Sequence, residues 1–490
     1  MSAGERVRLR GDRRPKHPAD PPPQIVKATT VLAVVLAALI GTLAATVAAN
    51  DPDMFWHLTS GAWMLDHGQI LDRDIYSTTM AGTPYSVGQW LGEVIFAALY
   101  RTGGWVAVDL LRGTLVGIAT LFTARVVLRF QAHPGWAIGP IIATILISKF
   151  LWGERPQLFS FALFPFFLDT LLATRLGAHR RVWLLVPAML VWANLHGGFV
   201  AGLALTAVFV VEAWLSRSSS RRVLTFAAGP MLVASLLTPS GLAAFSFAAS
   251  YASSASTVAE ERPTDITSPA GLVFAAMLLG ALFLVLVVDR RALQTRARCS
   301  ILWVGLVVSF TVLGLAHQRL LPYAAMVLAP LVAGLLPALF GRPITIAPVI
   351  PRRAAGLAIA TLLVGSIAVA VSAAPRQPDL SAYPVGALIP LREHPGPVLN
   401  EYDWGGYLIY AAPGQPTFVD GRGAALYPAR LIGEFETAVQ LRDGYRGVLD
   451  RHGIRLVLLR PDRPLVSALR EDGWPVLAEE GGRWILLMRP

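Results

Sequence analysis

The chain has 490 residues, a formal net charge of +11 and a single cysteine; 54% of its residues are hydrophobic and 15% are charged. Soluble proteins carry roughly 25% charged residues, so this composition, with a mean hydropathy of +0.54, points to a membrane protein. The basic residues fall in short clusters between apolar runs rather than in one patch, which argues against a nucleic-acid partner, and Cys299 alone excludes an intrachain disulfide or a cysteine metal cage.

Residues 1–25 form a basic, Pro-rich tail (Arg6, Arg8, Arg10, Arg13, Arg14, Lys16, then Pro21, Pro22 and Pro23). The apolar run that follows, through Val31 to Ala49, is too long for a signal-peptide core and lacks a clear cleavage site, so it reads as a retained first span with a cytoplasmic N-terminus. Further apolar runs fall near 105–128, 134–152, 157–174, 182–195, 198–215, 223–238, 270–288, 300–316, 320–338 and 354–374. With the first, that gives about 11 spans of roughly bilayer length, the runs at 182–195 and 223–238 being short. Arginine clusters at Arg125/Arg129, Arg175/Arg180/Arg181, Arg217/Arg221/Arg222, Arg290/Arg291/Arg296/Arg298 and Arg342/Arg352/Arg353 then all lie on the cytoplasmic side, as the positive-inside rule requires. An odd span count puts the C-terminal segment outside. The chain divides into the tail 1–25, a transmembrane region 26–374 with a large outer loop at 50–104, and a small C-terminal α/β domain at 375–490.

The outer side carries the chemistry-bearing residues. Asn50-Asp51-Pro52-Asp53 leads into Met54-Phe55-Trp56-His57, where the first span leaves the bilayer. A carboxylate there can take a proton from an acceptor hydroxyl or hold a metal ion. Asp51 before Pro52 also has the form of a helix N-cap with Pro at the first helical position, which leaves Asp53 as the first choice for a base. His57 shares a helical face with Asp53 at a spacing of four, and contacts either that acid or a phosphate, or merely solvates itself. Asp72 and Asp74 read as turn residues or as further outer acids. Segments 54–58 and 91–96 suit helices lying on the membrane surface. Three outer hairpins add polar tips. Glu154-Arg155-Pro156-Gln157 offers a local ion pair or a guanidinium for a phosphate. Asn194-Leu195-His196-Gly197-Gly198 offers a plain turn or the lining of a wet cavity. His317-Gln318-Arg319 is the third.

In the tail, Pro397–Tyr402, Pro416–Asp420, Ile454–Leu459 and Trp484–Met488 read as strands, and Leu431–Leu441 and Leu465–Glu471 as amphipathic helices. Asp403-Trp404-Gly405-Gly406 and Phe418-Val419-Asp420-Gly421-Arg422 are turn signatures that also suit binding loops. No nucleotide-binding glycine pattern occurs.

With Asp51-Pro52-Asp53 in a long first outer loop, many spans and an outer C-terminal domain, the chain resembles the GT-C class of membrane glycosyltransferases, in a poorly characterised bacterial branch. The resemblance implies a polyprenyl-phosphate-linked sugar donor, a glycan, lipid or protein acceptor, inversion at the sugar, and a plasma (inner) membrane location with the site on the extracytoplasmic face. It puts Asp51 or Asp53 in the role of base. A divalent metal serves some members and not others. Substrate contacts from His57, Glu154, Arg155, Asn194, His196, His317 and Arg319 are read from position alone. Other readings of the same layout are a polysaccharide polymerase or ligase, a transporter or flippase, and a noncatalytic assembly partner.

Overall fold

The computed structural model describes residues 25–85, 88–245, 262–288, 300–340 and 348–490. The basic tail up to residue 24, residues 246–261 including Glu260 and Glu261, the cluster Arg290/Arg291/Arg296/Arg298, Cys299 and Arg342 lie outside the described residues. Every apolar run of the sequence falls on a helix. With α2, which lies in the first loop, the helices in chain order are α1 (Ala28–Ala45), α2 (Pro52–His67), α3 (Trp90–Phe130), α4 (Pro134–Ser148), α5 (Gln157–Arg175), α6 (Leu185–Leu195), α7 (Phe199–Leu215), α8 (Arg221–Leu236), α9 (Pro269–Val287), α10 (Ser300–Ala316), α11 (Leu321–Leu335) and α12 (Arg352–Ala373). Among the described residues, seven helical stretches are long and apolar enough to cross a membrane: those of α1, α3, α4, α5, α9, α11 and α12. This is a mainly helical, multi-pass membrane protein.

Small residues bring α1 and α3 together. A Cβ built on Gly41 would lie 2.7 Å from the Gly113 carbonyl and 3.2 Å from the Gly117 Cα, so the two backbones touch where side chains would hold them apart. Helix α3 begins with a separate piece that ends at Gly104, whose φ of 59° and ψ of −151° are open to glycine and break the helical path. The 91–96 segment is therefore the first turns of α3, ahead of that kink.

The acids and arginines inside the apolar helices form ion pairs near the helix ends. Arg112 pairs with Asp109 (3.0 Å) and with Glu154; Arg125 and Arg129 both reach Asp169 (3.2 and 2.7 Å); Arg175 reaches Glu212 (2.8 Å). On α3, Arg112 and Arg125 are separated by about 20 Å at 1.5 Å per residue, an apolar stretch with an ion-pair layer at each end. Charge placed this way avoids the penalty of an unpaired ion in hydrocarbon.

Strands β1 (Ile25–Lys27) and β2 (Val349–Pro351) form a short antiparallel pair ahead of α1 and α12, and after α12 the chain builds a four-stranded sheet of order β3-β4-β6-β5, where β3 is Val398–Asn400, β4 Leu456–Leu459, β5 Val476–Glu480 and β6 Trp484–Met488. Strands β3 and β4 are parallel and the other pairings antiparallel. Helices Ala429–Val439 and Pro464–Glu471 fall where the sequence places them. Segment Pro416–Asp420 is not a strand of this sheet: Thr417 makes one isolated parallel bridge to Ser77 of the first loop. Strand β5 carries no clean alternation, which is why the sequence hid it.

This sheet does not stand apart from the first loop. Met64, Leu71 and Tyr85 share a buried cluster with Leu399, Phe418, Val457 and Ile485. The ring of Phe55 packs edge-on against Tyr383 and Tyr407, with centroids 5.1 and 5.3 Å away. Helix α2 therefore lies buried beneath the C-terminal segment, with Met54, Phe55, Trp56, His57 and Leu58 all inaccessible, instead of resting one face on an open surface.

Candidate functional site

Asp51 is the N-cap of α2, as Pro52 implied: its carboxylate accepts from the Asp53 amide at 3.0 Å. The hairpin between α4 and α5 closes over this cap. Glu154 accepts from the backbone amides of Asn50 (3.3 Å) and Asp51 (3.4 Å) while holding its ion pair with Arg112. Its neighbour Arg155 bridges the acid pair, with Nε 3.3 Å from Asp51 and Nη1 3.1 Å from Asp53. Residues a hundred positions apart thus meet as one charged cluster. Glu154 fixes the junction's backbone, and Arg155 binds its side chains.

The other oxygen of Asp53 accepts from the Trp56 indole at 3.1 Å. Two glycines let the chain close on the acids: a Cβ on Gly153 would collide with the Asp51 carboxylate, and one on Gly421 with that of Asp53. Gly406 lies against the Pro52 carbonyl in the same way. The Tyr383 hydroxyl donates to the Asn50 carbonyl at 3.2 Å. Burial, and then the negative charges of Asp51 and Asp53, push its phenol above the ordinary range. The turns of the C-terminal segment therefore form one wall of the site.

His57 does not reach Asp53. Its Nδ1 shares a hydrogen bond of 3.0 Å with Glu93, and its ring lies under Trp56 with centroids 3.6 Å apart. Burial, then the charges of Arg155 and His196, hold His57 well below its usual pKa, so it is neutral. His196 is similar. Its Nδ1 accepts from the Gly198 amide at 3.0 Å and lies 2.8 Å from the Ser160 hydroxyl, which leaves the proton on Nε2. Burial, followed by the charges of Arg319 and Arg155, lowers it to about 3. Arg319, on the short turn Gln318–Leu320, is thus part of the same electrostatic environment, and His317 precedes this turn, its backbone carbonyl accepting from the Leu320 amide at 2.9 Å. Asn194 ties elements together: it accepts from the Trp90 indole (2.8 Å) and donates to the carbonyls of Leu190 (2.9 Å) and Leu237 (3.0 Å).

Sequence reasoning missed Glu93, Tyr383, Gly153 and Gly421. Glu93 looked like one polar residue in an amphipathic stretch; the Asp420-Gly421 turn signature was visible, but its partner was not.

An apolar groove of about 360 Å³ runs between α3, α5 and α6, lined by Leu115, Ile118, Phe159, Leu163, Val191 and Leu195. Two of its lining residues are close in the chain to polar residues described above: Leu195 directly precedes His196, and Phe159 lies four residues after Arg155. Among the described residues no group of three or more His, Cys, Asp or Glu side chains is placed to hold a metal ion.

No protein-family model and no curated protein matches this sequence. The fold does have solved counterparts. The structure of the archaeal oligosaccharyltransferase AglB from Archaeoglobus fulgidus, in complex with an inhibitory peptide and a dolichol-phosphate, matches with a TM-score of 0.52 at 12% identity, over 88% of this chain and 69% of that one. The apo form of the Archaeoglobus fulgidus oligosaccharyltransferase matches over the same shares at 12% identity, with a TM-score of 0.49. The chain has a GT-C-like fold.

Proposed function

We propose that this protein is a membrane glycosyltransferase that moves a sugar from a polyprenyl-phosphate carrier to a glycan, lipid or protein acceptor on the extracytoplasmic face of a bacterial inner membrane. The observation that supports the reading is the ion-paired cluster of Asp51, Asp53 and Arg155 in a multi-pass fold that also carries an apolar groove along α5, the helix that Arg155 leads into. A lipid-borne sugar needs these parts together: a dry track for the prenyl chain, a cation for the phosphate, and a base beyond it.

In this reading the prenyl chain lies in the groove and the phosphate meets Arg155, with the charge of Arg319 nearby. The Asp53 carboxylate takes the proton from the acceptor hydroxyl as its oxygen bonds to the anomeric carbon. The bond from that carbon to the phosphate oxygen breaks, and its electron pair leaves with the phosphate. The guanidinium offsets the charge that develops there. Attack opposite the leaving phosphate inverts the sugar. Asp51 has a positioning part, since it caps α2 and shares Arg155. The test is transfer by the purified protein on a panel of polyprenyl-phosphate sugars. Asp53→Asn is expected to lower turnover at least a thousandfold and Asp51→Asn roughly tenfold, in line with the loss of a general base against that of a positioning group. Unchanged turnover in Asp53→Asn removes Asp53 from the chemistry.

A further inference from the structure

We propose that the Arg155 guanidinium is the built-in cation of this site: it occupies the place between Asp51 and Asp53 that a divalent ion would take, and the site needs no metal. A metal held by this pair requires carboxylate oxygens turned toward a shared point and further oxygen or nitrogen ligands around it. The structure puts a fixed positive charge at that point, 3.3 Å from one carboxylate and 3.1 Å from the other. The remaining Asp53 oxygen accepts from Trp56, and Asp51 accepts from the Asp53 amide, so proton donors surround the pair. Backbone also stands close on two sides: Gly153 against Asp51 and Gly421 against Asp53, each too close for a Cβ. Hard divalent cations keep several waters in a near-regular shell, and these backbone contacts take up part of that space.

The guanidinium has a property that suits this place. Its planar fork binds carboxylate and phosphate by the same geometry. A phosphate arriving at Arg155 competes with Asp51 and Asp53 for the guanidinium, as it would compete for a shared metal ion. As Arg155 turns to the phosphate, Asp53 loses its counter-charge and becomes a stronger base. Substrate arrival and base activation are thereby coupled through one side chain. That coupling rests on the transferase reading; the occupancy of the cation place by Arg155 does not.

The test uses manganese as the probe and the full-length protein in detergent. Wild type is expected to show no saturable manganese binding in the millimolar range by electron paramagnetic resonance, and the same thermal midpoint with EDTA or manganese. Arg155→Ala, which leaves two carboxylates facing one another, is expected to bind manganese at least tenfold tighter than wild type and to be stabilised by it. Arg155→Ala with Asp53→Asn is expected to lose that gain. Arg155→Gln, closer in volume, replaces Arg155→Ala if the latter does not fold. Saturable binding to wild type that Asp53→Asn abolishes overturns the proposal, as does a folded Arg155 variant indifferent to manganese. These arms do not depend on sugar transfer, so a protein inactive on every lipid-linked sugar removes the transferase reading alone. If transfer is observed, full activity in EDTA supports the proposal and loss restored by manganese overturns it.

Discussion

Arg422→Met tests whether the C-terminal segment holds the first loop in place. Arg422 is buried completely and reaches Asp74 of the first loop at 2.5 Å and Asp420 at 2.7 Å, both also buried. Tyr427 donates to Asp420 at 2.6 Å, and the rings of Tyr76 and Tyr85 lie 5.2 and 5.5 Å from the guanidinium carbon. Burial alone would raise the Asp420 carboxyl, but the charge and hydrogen bonds of Arg422 outweigh it and hold the group below its usual pKa. Asp420 therefore contributes stability above the ordinary carboxylate range, and in wild type that contribution fades only as pH falls through its lowered pKa. Methionine keeps most of the volume and none of the charge. Removing one partner of a buried pair costs about 3–5 kcal/mol because the other is left desolvated, which for a chain of this length corresponds to a midpoint drop of about 3–5 °C. The sign of the pH dependence is diagnostic. Without Arg422, burial raises Asp420 in the folded state, so the folded variant binds more protons than the unfolded chain above about pH 4, and its stability falls as pH rises. Thermal unfolding in detergent between pH 5 and 8 should show a penalty that grows with pH, and adding Asp420→Asn should recover part of it, since the two changes act on one contact. A midpoint within a degree or two of wild type at neutral pH, or a penalty that is flat with pH, would refute the reasoning.

Gly421→Ala places a methyl group against the Asp53 carboxylate and the Trp56 indole without altering either; turnover is expected to fall at least tenfold, measured against a far smaller change in thermal midpoint. For the two buried histidines, folded-state values below the unfolded 6.5 mean that the unfolded chain binds protons first as pH falls, so each costs about 1.4 kcal/mol per pH unit below roughly 6.5. His196→Gln and His57→Gln should each flatten the decline in thermal midpoint between pH 6.5 and 4.5, and a decline unaltered in both variants counts against their being neutral. Filling the groove with Ala162→Trp should weaken use of long-chain donors while sparing any water-soluble short-prenyl analogue, seen as a rise in KM for the first and not the second.

The apolar runs were legible because hydrocarbon burial is a one-dimensional signal: every residue of a spanning helix must be apolar or paired, whatever lies beside it. The Asp51 cap was legible for a similar reason, since Asp before Pro is decided within three residues. The Arg155 bridge was visible only as a charged tip. Its partners sit about a hundred positions earlier, and no spacing rule links two hairpins that meet through the packing of α1, α3 and α5. His57 shows the opposite failure. Helical spacing placed it with Asp53, but the α2 face it occupies is covered by the first turns of α3, and there Glu93 offers a buried hydrogen bond at 3.0 Å. Local periodicity gives the face a residue occupies and not what covers that face.

The same limit explains why the C-terminal segment reads as a separate domain in the sequence. Its strands and helices carry ordinary soluble patterning, and patterning is indifferent to whether the apolar face closes on itself or on another part of the chain. Here it does both. Leu399, Phe418 and Val457 bury themselves with residues of their own segment and with Met64, Leu71 and Tyr85 of the first loop, and the Arg422 network reaches Asp74 of that loop. That sharing bears on the site directly. Gly421 lies between Asp420 and Arg422, so the ion pair that locks Arg422 to Asp74 also sets how closely Gly421 approaches Asp53. If the C-terminal segment were only a cap, Arg422→Met would lower stability and leave turnover at permissive temperature unchanged. If it is a wall of the site, the same substitution lowers turnover below the unfolding transition as well, and Gly421→Ala reproduces that loss with a smaller stability penalty. Agreement of the two variants in activity, and their divergence in stability, is the outcome this geometry requires.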